Sequence, residues 1–218
     1  MRLPTLASFA LALSIQAGPP QDEPAKLVQD GLPEQPKVTV GGGEVLLELA
    51  VTSEGAVERV NRLRVTAPYG DLVASAVENW RFKPASIVKD GRRESAESKV
   101  LVAAVFRPPA MYLGATLGDP VRDLAPPSGE APSLSELIAP PYPPNAKADA
   151  LILVEVELGS SGTVAGTRVL RSGGVFDDAA IEAIKRWSFT PPRITGAPTS
   201  YAYVIVGFRE PVAIGTPR

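Results

Sequence analysis

Residues 176–193, FDDAAIEAIKRWSFTPPR, decide how the rest of the chain is read. Ala180, Ile181, Ala183, Ile184 and Trp187 recur at helical spacing, so the stretch predicts one short amphipathic helix. Its start is an aromatic followed by two acids: Asp177 is expected to serve as N-cap, Phe176 to fold over Ile181, and both carboxylates to face the positive end of the helix. Its stop is Pro191-Pro192, because proline supplies no N–H and clashes with the preceding turn. The same arrangement stands earlier as YGDLVASAVENWRFKPASI, residues 69–87, with Trp80, Phe82 and Pro84 placed 107 positions before Trp187, Phe189 and Pro191. Laid without a gap, residues 44–87 against 151–194 give 13 identities in 44 pairs, and these fall on the turn glycines 55 and 162, on Val57 and Val164 and on the two tryptophans. A match at turn, strand and helix together marks a duplicated unit.

Working outward, the strands on either side of each helix follow from alternation. Val45, Leu47, Leu49 and Val51 predict a strand with one buried face; Thr52 to Gly55 turn the chain, and Val57 to Val65 return it as a hairpin. Residues 99–106 supply a third strand after the polar loop 89–94. In the second copy the strands are 151–158, a partner after the Gly159–Gly162 turn, and 201–208. The expected fold class is α+β: two tandem ββαβ units, each a three-stranded antiparallel sheet covered by one helix. Small cores of this kind need large anchors, and Trp80 with Phe82 and Trp187 with Phe189 are read as core packing.

Between and before the units the composition changes. Residues 1–17 carry one arginine, an apolar run of about a dozen residues and a small-residue boundary, which predicts a signal peptide. The alternative is a retained inner-membrane anchor, although a spanning helix wants about 20 apolar residues. Residues 18–36 and 110–139 are proline-rich and are expected to act as extended tether and linker, the latter with room for a short helix at 134–138. The units are bounded at 37–109 and 140–211, with a tail over 212–218.

Chemistry has few tools here. The 218 residues include no cysteine and no histidine, so disulfides, thiol nucleophiles, the usual zinc sites and imidazole bases are all absent. A net charge of −2 offers no basic field for nucleic acid. Asp177-Asp178 are neighbours that do not share a helix face, Gly41-Gly42-Gly43 lacks the lysine of a phosphate loop, and the serines 160, 161 and 172 have no base. The expectation is a protein with no catalytic residues, no metal, no cofactor and no small-molecule substrate.

The last strand carries the one surface expected to matter. If Ala202, Val204 and Val206 face the helix, Tyr201, Tyr203 and Ile205 face away. Two readings stay open for them: an edge that accepts an extended peptide by strand addition, or a face that the two units, or two copies of the chain in a homodimer, cover for each other.

Pro-Tyr-Pro at 141–143, the hairpin with Gly162 and Val164, Val169-Leu170-Arg171-Ser172-Gly173, Phe176-Asp177-Asp178-Ala179-Ala180, Trp187-Ser188-Phe189-Thr190-Pro191 and Val206-Gly207-Phe208 together resemble the TonB C-terminal domain. The likeness runs over nearly all of 140–210, and 37–109 resemble a diverged second copy. It implies a periplasmic module that binds an outer-membrane TonB-dependent receptor or another envelope protein along its last strand, with Tyr142, Pro143, Tyr201, Tyr203 and Ile205 as partner-binding residues. It also implies, as the alternatives, an anchored transducer drawing on the proton gradient, or a structural envelope protein. The short N-terminal run lacks the histidine of energised family members, a departure from the transducer plan.

Overall fold

A computed structural model describes residues 22–36, 41–108, 120–122, 124, 131–191 and 199–211. The expected signal peptide and tail, and much of the expected linker, lie outside the described residues. In chain order the elements are β1 (Lys26–Gln29), β2 (Gly43–Val51), β3 (Val57–Val65), α1 (Tyr69–Val77), β4 (Arg81–Lys83), β5 (Ala85–Lys89), β6 (Arg92–Ala96) and β7 (Ser98–Phe106). They continue as β8 (Pro120–Val121), β9 (Ser133–Ile138), β10 (Ala150–Gly159), β11 (Val164–Arg171), α2 (Asp177–Ile184), β12 (Ser188–Thr190) and β13 (Thr199–Phe208). Among the described residues the class is α+β, mostly strands with two short helices and no closed barrel.

Two separate three-stranded sheets do not form. β2, β3 and β7 join β10, β11 and β13 in one six-stranded sheet of order β11-β10-β13-β7-β2-β3. The seam is the parallel pairing of β13 with β7, Ala202 opposite Leu101 through Gly207 opposite Phe106. Every other neighbouring pair in the sheet is antiparallel. Two similar halves that meet through parallel strands are related by a two-fold along the strand direction, which turns the sheet over. Accordingly α1 packs with Val45, Leu47 and Val102 on one face, while α2 packs with Ile152, Val154 and Val204 on the other.

This inversion explains why alternation understated the burial. Leu46 and Leu101, which point away from α1, are buried in the core that α2 covers, and Tyr203 and Ile205, which point away from α2, are buried beneath α1. Each half therefore covers the back of the other. That is the second of the two readings left open above.

The segments read as tether and linker are partly built into the fold. β1 pairs with β4, Leu27 opposite Phe82, and β9 pairs with β12, Leu134 opposite Phe189. Both pairings keep the 107-residue spacing of the repeat. The Trp80 indole donates to the Gly31 carbonyl at 2.9 Å and the Trp187 indole to the Ile138 carbonyl at 2.8 Å. A buried indole N–H needs an acceptor, and in each half the preceding extended segment provides one. The short helix expected at 134–138 is therefore a strand, held by Phe189 and Trp187 rather than by local propensity.

The turn glycines are required by geometry. Gly55 and Gly162 take φ of +85° and +82°, and a Cβ on either would stand 1.8 Å and 2.2 Å from the carbonyl oxygens of Phe82 and Phe189. Both tryptophans are buried, as the sequence led us to expect. The helix start differs from expectation. No side chain caps α2; the Asp177 carboxylate turns back and accepts from the Ser172 hydroxyl (2.6 Å) and the Gly173 N–H (2.7 Å). Phe176 packs on Tyr142 and Phe208 instead of folding over Ile181, since the three rings close the end of that core.

Candidate functional site

The candidate partner-binding strand is β13, and its surroundings are those of an interior strand. Its full length pairs with β10, from Thr199 opposite Gly159 to Phe208 opposite Ala150, and six of its residues pair with β7 on the other side. The bare edge expected at residues 201–208 is thus filled by the molecule itself. The reason lies in the first half: β7, Ser98–Phe106, is long and apolar, and its burial between β2 and β13 removes two exposed edges in one pairing.

The five residues expected to receive a partner do not come together. Tyr203 and Ile205 are fully buried, and Tyr142 is 4% exposed; Tyr142 belongs to the core under α2, Tyr203 and Ile205 to the core under α1, on the opposite face. The Tyr142 hydroxyl donates to the Ala148 carbonyl at 2.9 Å and accepts from the Ala148 N–H at 3.1 Å, closing the loop that enters β10. Pro143 is half-buried, and its carbonyl accepts from the Ala146 N–H at 3.1 Å. Tyr201 is half-buried with the Lys26 ammonium 4.8 Å above its ring, within reach of a cation–π attraction.

Tyr203 is the most connected of the five. Its ring meets Trp80 at 6.1 Å and Phe82 at 5.8 Å, both edge to face, so a side chain of the second half completes the aromatic core of the first. Its hydroxyl accepts from the Leu27 N–H at 2.7 Å and lies 3.4 Å from the Glu155 carboxylate, to which it donates. Burial pushes the phenol well above its ordinary range; the Leu27 N–H opposes this and the Glu155 charge reinforces it. The hydroxyl therefore keeps its proton and acts as a structural bridge.

Among the described residues, Glu155 and its repeat counterpart Glu48 are the two buried acids, each 4% exposed. Sequence reasoning passed over both, although each interrupts an apolar alternation at the same place in the repeat. Arg168 donates to Glu155 at 3.0 Å and Lys26 stands 3.7 Å from it. Lys99 pairs with Glu48 at 3.3 Å.

With β13 enclosed, the strands that end the sheet are β3 and β11. Both carry arginines. Arg62 and Arg64 on β3 pair with Asp71 and Glu44, and Arg171 on β11 pairs with Asp30 at 2.6 Å. Among the described residues no helix is long and apolar enough to cross a membrane.

No curated protein and no solved structure matches the chain. Residues 138–209 match the family model described as the C-terminal region of the Gram-negative bacterial TonB protein. The match opens at Ile138, whose carbonyl holds the Trp187 indole, and closes one residue past Phe208, the last residue of β13. Over these residues the chain carries a domain of the TonB C-terminal family, a family tied to TonB-dependent transport.

Proposed function

We propose that the protein works in the periplasm as a non-enzymatic member of the TonB system, and that it engages an outer-membrane TonB-dependent receptor by strand addition at β11. The observation that carries this reading is the family match over 138–209, a domain of energy transduction and interaction. The choice of β11 rests on its place: it belongs to the matched half, ends the sheet, and presents one row of N–H and C=O groups that no strand of the sheet takes up. An extended receptor segment would satisfy that row, with main-chain hydrogen bonds giving affinity.

Photo-crosslinking tests this. A photoreactive amino acid at exposed Ala165 on β11, in the full chain mixed with outer-membrane fractions, should capture a TonB-dependent receptor identified by mass spectrometry. The same probe at exposed Ser75 on α1 should not. In a strand, successive N–H groups point to opposite edges, so of Thr167→Pro and Arg168→Pro one removes an outward donor and the other breaks the β10 ladder. The variant that keeps the wild-type melting temperature should lose capture; if it captures the receptor as well as wild type, β11 is not the edge used. A second reading is a structural envelope protein whose halves simply cover each other, and the β13–β7 seam favours it. It gives no receptor adduct at any position.

A further inference from the structure

β11 brings two unlike charges to the outer side of the sheet. In its ladder with β10, Arg168 stands opposite Glu155 and Gly166 opposite Glu157, and residues two apart on a strand share a face. It is the face on which the Lys26 ammonium meets Glu155 at 3.7 Å. Arg168 is exposed and donates through Nε to the same carboxylate at 3.0 Å. Two cations thus share one buried acid, which leaves an excess of positive charge beside the edge. Among the described residues the Arg168 Nη1 has no partner.

Glu157 supplies the opposite charge. It is half-buried, and among the described residues its carboxylate takes part in no hydrogen bond or ion pair. The side chain leans outward over β11: a Cβ on Gly166 would stand 3.4 Å from Glu157 Oε2. Because Gly166 carries no side chain, residue 166 puts nothing between that oxygen and a strand added about 4.8 Å farther out. The other end strand differs. At the 107-residue spacing Ala50, Arg59 and Asn61 take the places of Glu157, Gly166 and Arg168, so on β3 a cation fills the gap and no acid stands behind it. Resting on the receptor reading, we propose that the segment added at β11 carries one basic and one acidic side chain two positions apart. The basic group lies beside Gly166 and reaches the Glu157 carboxylate; the acidic group lies beside Arg168 and accepts from its Nη1. Opposite charges on neighbouring strands attract and like charges repel, so the two positions select against segments that carry one sign of charge.

Fluorescence anisotropy of short, end-capped peptides of alternating threonine and valine, titrated with the full chain, tests it. Two successive positions on one face of the peptide carry glutamate then lysine, lysine then glutamate, glutamate twice or lysine twice. One of the two mixed peptides should bind about threefold or more tighter than either like-charged peptide, since each changes one exposed cross-strand attraction into a repulsion. The order that binds tighter reports the direction of the added strand. Glu157→Gln should bring the mixed peptide and the double-glutamate peptide within about twofold of each other, while the disadvantage of the double-lysine peptide beside Arg168 persists. Glu157 has no partner to lose, so this variant should keep the wild-type melting temperature; if it does not, concentrated salt, which screens exposed charges, should level all the peptides in the wild type. No saturable binding by any peptide, equal binding by mixed and like-charged peptides, or a preference that survives both Glu157→Gln and salt overturns the proposal. Any of these together with a receptor adduct at Ala165 sinks the charge pattern and spares the receptor reading, whereas the pattern without the adduct upholds β11 and removes the receptor.

Discussion

Replacing Tyr203 by phenylalanine removes one oxygen and tests the seam between the halves. The ring contacts with Trp80 and Phe82 remain, whereas the Leu27 N–H loses its acceptor and Glu155 its hydroxyl donor. An N–H left unsatisfied in a buried position costs roughly 1–3 kcal/mol, so Tyr203→Phe should destabilise the full chain by about that amount at neutral pH. The pH dependence gives the sharper signature. Because the folded phenol titrates well above its ordinary value, its neutral form contributes stability that is fully present below the unfolded value of about 10 and is lost as pH rises above it. The loss in wild type is about 1.4 kcal/mol by pH 11, one proton at 1.36 kcal/mol per pH unit. The phenylalanine variant has no such proton. Its deficit relative to wild type should therefore shrink by about 1.4 kcal/mol between pH 7 and pH 11. Urea unfolding followed by tryptophan fluorescence reads both numbers, since Trp80 sits beside the substituted ring. A variant as stable as wild type at pH 7, or a deficit that stays constant up to pH 11, would refute the buried bridge.

Trp187→Ala should cost about 3–5 kcal/mol through the cavity and the freed Ile138 carbonyl, measured as a fall in urea midpoint; an unchanged midpoint would remove Trp187 from the core. Gly162→Ala should destabilise by clearly more than about 1 kcal/mol, because it meets both a positive φ and the Phe189 carbonyl, while Gly91→Ala, with positive φ but open space, should cost about 1 kcal/mol; equal losses would mean that the close approach does not matter. A fragment of residues 131–218 exposes Tyr203 and Ile205, each worth about 1.5–3 kcal/mol when buried, together with the whole β13 edge. It should self-associate or melt far below the full chain in size-exclusion and thermal experiments, and a monomeric fragment with the full-chain melting point would show that the seam is dispensable.

What was legible in the sequence was local. Alternation placed β2, β3, β7, β10 and β13 within a residue or two, and the helices were announced by Trp80 and Trp187 at their ends. The association of the halves was not legible, because a strand's alternation reports which side chains are apolar and not what covers them. Tyr203 and Ile205 read equally well as a receptor-binding face or as cover for the first half, and only the β7 pairing separates the two. β1 and β9 were missed because proline and charge dominate their surroundings. The signal was present in Leu27 and Leu134, 107 residues apart like the tryptophans, together with Pro33 and Pro140 at the same spacing.

The closed seam also bears on where a receptor segment can bind. Any strand that adds to β13 on the side of β7 must displace six residue pairs and expose Tyr203 and Ile205. At about 1.5–3 kcal/mol for each of those side chains, the displacement costs at least about 3 kcal/mol before the ladder is counted, which lowers affinity about a hundredfold or more. β11 demands no such opening. Among the described residues no strand pairs with its outer side, and Arg168 and Arg171 are held in place by Glu155 and Asp30. A segment of modest affinity can therefore pair with β11 under conditions where it cannot open the seam, so an adduct at Ala165 without disturbance of the Tyr203–Trp80 contact is the outcome the architecture favours.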